Sequence, residues 1–302
     1  MSPKGSAITD ELIINLAPTG MVPTRADTPH VPLTPEEVAS DVRRCRDAGA
    51  SIVHIHPRDE LGEPTQSPAR AAEFITAVRS AVPDIVVCIT TSGRRDPALE
   101  GRAAVLDLDG SVRPDMASLT LGSLNFPKQA SINAPATIQG LAERMRDRSI
   151  VPEWEVFDFG MLDYAAYLRE HGLLADPVYV NLLLGSLGTV AATPLNLALM
   201  VERLPRDATW AATGIGRFQR PVTHWAVAMG GHVRIGLEDN VWFDDERSDL
   251  ATNPRLVERV VGVARAMGRE PATPDQVRQR LGIGRFDGAR SQAADPIVET
   301  RH

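Results

Sequence analysis

The chain carries only two cysteines in 302 residues, Cys45 and Cys88. That is too few for a disulfide framework. Both lie among apolar residues at core spacing and read as small buried hydrophobes in a reducing compartment, so the cytoplasm is the expected location. No uninterrupted apolar run approaches the roughly 18 residues that suggest a membrane span. Residues 1–9 lack the apolar segment expected of a secretory signal. Long basic runs are also missing and the formal net charge is −7, which argues against nucleic acid and anionic membrane surfaces as partners.

What is present is an alternation. Short β-rich runs at 11–16, 51–56, 85–90, 115–121, 153–157, 178–184, 209–212 and 232–236 are each followed by an amphipathic stretch. The helical stretches are 35–48, 68–82, 97–106, 135–146, 160–171, 194–204, 219–229 and 253–267. The first has a complete start signal: Thr34 as N-cap, Pro35 at the first position and Glu37 three residues after the cap. Several strands are continuously apolar, as in a parallel sheet buried on both faces. Eight strand–helix pairs in one chain of this length predict an α/β fold, a single (β/α)₈ TIM-barrel domain. Its barrel should span about 11–268, with a C-terminal extension over 269–302 that holds one short helix from Thr273-Pro274 and a loosely ordered tail from Arg285. A doubly wound open sheet is the structural competitor. The long loop at 17–33 is of a length that is often functional.

The most informative local pattern is Val53-His54-Ile55-His56-Pro57. Alternate residues of a strand share a face, so both imidazoles project together, and Pro57 places them at the strand's carboxyl end, where barrel enzymes build their sites. Two such histidines suit one divalent metal better than a purely structural role. His30, in the long loop, is one possible third ligand. Glu238 is preferred, because alternation along the last strand places Arg234, Gly236 and Glu238 on one face. Two histidines and one carboxylate leave an open coordination position, as catalytic metals need. Arg234 points inward and needs an anion, either Asp239 or a substrate. Thr90, Thr91, Ser92 and Gly93 end the third strand, and Ser118, Thr120, Gly122 and Ser123 lie along and after the fourth. Their hydroxyl and backbone N–H groups could hold a carboxylate. Gly214-Ile215-Gly216-Arg217-Phe218 is a phosphate-loop candidate or a tight turn.

Taken in order, several blocks resemble the β-keto acid cleavage enzyme family, the group that includes 3-keto-5-aminohexanoate cleavage enzyme. They are Ala17-Pro18-Thr19-Gly20 with Thr24-Arg25-Ala26-Asp27, His54-Ile55-His56 with Arg58-Asp59, Gly122-Ser123-Leu124-Asn125-Phe126, Val151-Pro152-Glu153, Gly214-Ile215-Gly216-Arg217, and Gly230-Gly231-His232-Val233-Arg234 with Glu238-Asp239-Asn240. The resemblance implies a homotetrameric TIM barrel with one Zn²⁺ per chain on His54, His56 and Glu238. It implies acetyl-CoA as co-substrate, acetoacetate and a new acyl-CoA as products, and enolate and retro-Claisen steps. Asp239, tuned by Arg234, would be the general base, and Thr90, Gly93 and Ser118 match substrate-contacting positions. The adjacent arginine is expected to depress the pKa of Asp239 and make it a weak base. Val22 stands where the aminohexanoate enzyme carries a glutamate that meets the substrate's amino group, so an amino tail is disfavoured. An apolar or neutral tail is expected instead, unless Arg94 or Arg95 selects a second carboxylate. Two competing classes are a metal-dependent hydrolase of the amidohydrolase type, which needs further histidines on later strands, and a catalytically silent barrel.

Overall fold

The computed structural model describes residues 10–127 and 129–284. Expectations about residues 1–9 and the tail from 285 lie outside the described residues. Eight parallel strands close into a barrel in the order β7-β8-β1-β2-β3-β4-β5-β6. They are β1 (Ile14–Leu16), β2 (Ile52–Ile55), β3 (Val86–Ile89), β4 (Met116–Thr120), β5 (Val151–Val156), β6 (Tyr179–Leu184), β7 (Thr209–Gly214) and β8 (His232–Ile235). The open-sheet competitor is thereby excluded. Around the barrel lie α1 (Pro35–Ala48), α2 (Pro68–Ala81), α3 (Leu99–Ala103), α4 (Pro135–Asp147), α5 (Phe159–Glu170), α6 (Pro194–Glu202), α7 (Gln219–Ala228) and α8 (Asn253–Ala266), and α9 (Pro274–Arg280) follows. No helix among the described residues is long and apolar enough to cross a membrane.

Helix starts follow the capping chemistry. The Thr34 hydroxyl accepts from the Glu37 N–H while the Glu37 carboxylate accepts from the Thr34 N–H, a reciprocal box that satisfies two otherwise orphaned donors. Ser67, Thr193 and Thr273 cap α2, α6 and α9 with proline just inside each helix. Three details differ from expectation. The first strand is interrupted at Ile13, whose N–H donates to His232 Nδ1 at 3.0 Å, and Glu11–Leu12 pairs instead with Glu270–Pro271. The third helix is short and gives way to a 3₁₀ turn over Ala104–Asp107. A two-stranded hairpin, Leu124–Asn125 with Ala130–Ser131, follows β4.

The core has two parts. Residues facing out from the strands, such as Leu16, Val53, Ile55, Val87, Leu119 and Trp154, pack under the helices in one large apolar shell. The lumen is different. Its floor is apolar, built by Ile13, Ile52, Val86, Met116, Tyr179 and Ala211, and is closed from below by Val277 of α9 and by Leu281, which follows that helix. Above that floor the same inward-facing alternation delivers Asn15, His54, Ser118, Glu153, Asn181 and Arg234, all buried. The packed floor fixes the strands, and the polar storey above it is where barrel chemistry is expected.

Candidate functional site

The polar storey is organised from the bottom up. Glu153 of β5 is fully buried and accepts hydrogen bonds from Asn15 Nδ2 (2.5 Å), Asn181 Nδ2 (2.6 Å) and Cys88 Sγ (3.3 Å). It also meets His54 Nδ1 at 2.6 Å. Burial opposes charge on Glu153, but His54 and Arg234 overcome it and bring its pKa down to about 2. Burial works against charge on His54 too, but Glu153 overcomes it and raises the His54 pKa. The Nδ1 proton stays on the Glu153 side, and Nε2 faces outward as the nitrogen that would become a ligand on losing its own proton.

That Nε2 lies 3.1 Å from Nε2 of His56, and His56 Nε2 lies 3.2 Å from Glu238 Oε1. A tetrahedral ion with bonds of ~2.0–2.1 Å needs ligand atoms roughly 3.3 Å apart. The His54, His56 and Glu238 ligand atoms all lie within 4.8 Å of one another. Glu238 Oε2 is buried without a hydrogen-bond partner among the described residues, and the charges of Glu153, Glu155, Glu238 and Asp239 all act on the buried guanidinium of Arg234. Both the orphaned oxygen and the surplus of negative charge suit a divalent cation. A second grouping, His54 with Cys88 and Glu153, is also compact. There the nitrogen and the carboxylate are already bonded to each other, and burial pushes the Cys88 thiol up, away from the thiolate a metal would need. It braces the first grouping from behind.

Glu238 does not arrive by strand alternation. β8 ends at Ile235, and a turn carries the chain back so that the Glu238 N–H donates to Ala17 O at 3.2 Å. Two glycines permit this. A Cβ on Gly236 would stand 2.0 Å from Ala17 O, and one on Gly20 would stand 2.4 Å from Glu238 Cγ. The long loop after β1 is anchored by the buried Arg58, which donates to the carbonyls of Gly20 (2.5 Å), Pro23 (3.1 Å) and Gly62 (2.9 Å).

Arg234 pairs with three carboxylates: Glu155 at 3.0 Å, Glu238 at 2.6 Å and Asp239 at 3.3 Å. The expected pairing with Asp239 is present, but the expected depression of its pKa is not. Burial and the neighbouring Glu238 charge outweigh Arg234 and raise Asp239 to about 6, closer to the pKa of an effective general base. Thr213 Oγ1 stands 3.4 Å from the same carboxylate. The Gly214–Phe218 segment proves to be a tight turn: a Cβ on Gly214 would meet Phe218 O at 2.1 Å, and the Gly216 N–H donates to Asp239 O at 2.7 Å. It positions the acid.

The other sequence-chosen residues separate. The Ser118 hydroxyl accepts from the Thr91 N–H (3.1 Å) and the Thr91 hydroxyl donates to Ser118 O (2.6 Å), tying the end of β3 to β4. The Thr90 hydroxyl, half-buried, accepts from the Ser92 N–H at 3.1 Å. Gly93 is pressed against Arg102, whose Nη1 would lie 2.8 Å from any Cβ there. Val22 is 58% exposed on the loop after β1, and His30 is exposed and outside the cluster. Sequence reasoning assigned no role to Glu155, Asn15, Asn181 or Arg58, nor to Glu153, which it met only within a block. The available signal was amides and acids at inward positions of otherwise apolar strands.

A closed parallel barrel with titratable groups gathered at the carboxyl ends of its strands defines the TIM-barrel enzyme class. Within it, the chain belongs to the beta-keto acid cleavage enzyme family, whose sequence model matches residues 11–283. It is 38% identical over 280 residues to a 3-keto-5-aminohexanoate cleavage enzyme from Fusobacterium nucleatum, covering 91% of this chain and 98% of the relative. It is 36% identical over 279 residues to a 3-oxoadipate:acetyl-CoA acetyltransferase from Cupriavidus necator, covering 91% and 96%. Among solved structures, ObcA in ternary complex with a C4-CoA adduct and oxalate superposes with a TM-score of 0.77 at 22% identity, over 86% of this chain and 68% of that one, a likeness of fold.

Proposed function

We propose that this protein is a zinc-dependent β-keto acid cleavage enzyme that consumes a β-keto acid and acetyl-CoA and releases acetoacetate and a new acyl-CoA. The observation that carries the reading is the facing pair of imidazole nitrogens, 3.1 Å apart, with Glu238 beside them and Asp239 next in the chain. His54, His56 and Glu238 would hold the ion, which supplies Lewis acidity that makes the carbon between ketone and carboxylate easier to deprotonate. Asp239 is the base that takes the proton from that carbon. The carbanion attacks the acetyl carbonyl of acetyl-CoA, and the thiolate of CoA moves to the former keto carbon. The bond between that carbon and its neighbour then breaks, and the departing carbon takes back the proton held by Asp239, freeing acetoacetate. Arg234 holds Asp239 in place and balances Glu155 and Glu238 as charge moves. By resemblance to the family, Thr90, Gly93 and Ser118 would contact the substrate, and Val22, which cannot pair with an ammonium group, disfavours amino tails.

The names of the F. nucleatum and C. necator relatives support the reaction class. The hydrolase alternative lacks support: His30, His171, His224 and His232 join no metal-holding group among the described residues. The free, buried Cys45 and Cys88 suit a reducing cytoplasm. Leu195, Leu199 and Tyr167, exposed on α6 and α5, offer apolar surface for a homotetramer.

The test is a panel of β-keto acids with acetyl-CoA, assayed for acetoacetate before and after chelation, with metal content measured in parallel. Turnover should need acetyl-CoA, disappear with chelator and return with Zn²⁺. Hydrolysis without CoA, or full activity in metal-free protein, would overturn the proposal.

A further inference from the structure

Two adjacent arginines lie midway along the loop after β3, and they meet different surroundings. Arg95 is exposed and pairs with Glu63 at 3.3 Å. Arg94 is half-buried and lies over the ring of Phe126, its Cζ 3.5 Å from the centroid. Phe126 is itself held edge-to-face against Phe157, with centroids 5.8 Å apart, so the guanidinium rests on a fixed platform. Among the described residues Arg94 has no ion pair and donates no hydrogen bond. Burial works against its charge, with the carboxylates of Glu238, Glu155 and Asp239 acting the other way. Arg94 lies on the loop that follows the carboxyl end of β3, and Phe126 on the hairpin that follows β4, so this cation stands at the mouth of the barrel.

A partly desolvated guanidinium with its donor fork free, on a rigid aromatic seat, is a receptor for a planar anion. In a β-keto acid the first carboxylate is one carbon from the ketone and must stay beside the metal-binding side chains. Among the described residues Arg94 makes no ion pair or hydrogen bond with His54, His56 or Glu238, so its donors are free for the other end of the substrate. We infer that Arg94, seated on Phe126, reads the tail and selects β-keto acids that carry a second carboxylate. The inference rests on the β-keto acid reading above. It decides between Arg94 and Arg95, and it favours a charged tail over the apolar or neutral one expected from Val22 alone.

The test compares 3-oxoadipate with 3-oxohexanoate, which has the same length and no second charge, using Arg94→Gln and Arg94→Lys in the metal-loaded enzyme. Wild type should prefer 3-oxoadipate. Arg94→Gln should lower the ratio of kcat/KM between the two acids about 10- to 100-fold, chiefly through KM, as expected for a lost charge-assisted hydrogen-bonded pair. Arg94→Lys should restore part of that ratio. Equal losses on both acids would mean that Arg94 serves the common carboxylate, and a matching rise in the KM of acetyl-CoA would mean that it serves CoA; either overturns the proposal. Calorimetry with glutarate and butyrate separates this idea from the reaction itself. Glutarate preference that vanishes in Arg94→Gln, in a protein that cleaves no keto acid, would keep the tail receptor and remove the cleavage reading. Equal binding of both acids by wild type removes the receptor.

Discussion

The two ends of the barrel use buried charge in opposite ways. At the amino end, Asp115 accepts from Arg278 at 2.9 and 3.1 Å and from Arg79 at 3.2 Å. Arg278 also donates to Ile85 O at 3.2 Å. Arg269 donates to the carbonyls of Val227 (3.0 Å), Gly231 (2.7 Å) and Glu11 (2.9 Å). Cations there meet acceptors, and the result latches α9 and the Glu270–Pro271 strand across the floor. At the carboxyl end the acids outnumber the cations, two imidazole nitrogens face each other, and Glu238 Oε2 has no partner among the described residues. A saturated network rigidifies, whereas an unsaturated one awaits a ligand. The contrast separates structural from functional charge without reference to any relative.

Breaking the contrast at the mouth should give the largest effect. Asp239→Asn keeps the size of the side chain and removes the proposed base, so kcat should fall about 10³-fold, with thermal stability near wild type. Steady-state kinetics beside a melting curve checks both. An unchanged kcat would remove Asp239 from the chemistry.

The reverse outcome is expected at the floor. Asp115→Ala leaves Arg79 and Arg278 without their carboxylate and should lower unfolding free energy by about 3 kcal/mol, measured by denaturant titration, while kcat per folded enzyme changes little. Equal damage to activity and stability would mean that the two ends are not separable.

Glu153 lies between these regimes, saturated itself yet aimed at the site. Glu153→Gln should retain the fold and weaken zinc affinity about 10- to 100-fold, as lost support of a metal-binding histidine does. Competition with a chromophoric chelator reads this directly. Unchanged affinity would make Glu153 purely structural.

The smallest effect sharpens the comparison through pH. Burial, with Arg280 and Arg269 adding to it, pushes His232 down to about 3, so the fold holds it neutral. An unfolded histidine protonates near 6.5. The stabilisation from a depressed folded pKa is therefore complete above that value and declines as pH falls towards 3. At pH 5 the loss is about 2 kcal/mol for this residue. His232→Asn should flatten the dependence of Tm on pH between 7 and 5. An identical slope in the variant would show that His232 does not set it.

Much of this was readable residue by residue. Thr34, Pro35 and Glu37 announce a helix because capping is decided within four residues. His54 and His56 share a face because strand alternation is equally local. The interruption at Ile13 was not readable, since its hydrogen-bond partner, His232, is 219 residues away. Nor was the hairpin after β4, whose strands are two residues each, too short to leave a periodic signature. The route of Glu238 was misjudged for a related reason: the turn depends on how closely Gly236 and Gly20 approach other backbone and side-chain atoms.

The linear chain by itself determined the alternation of eight strands and helices, the inward direction of the paired histidines, and the presence of Arg234, Glu238 and Asp239 near one strand end. These depend on periods of two and 3.6 residues and on caps, which are short-range. Only the closed barrel decided that Glu153 would lock His54, that Asp239 would be pushed up to about 6, and that Arg94 would sit on Phe126 while Arg95 pairs with Glu63. Each depends on groups from other strands or loops and on the water that closure excludes, and a strand read alone contains neither.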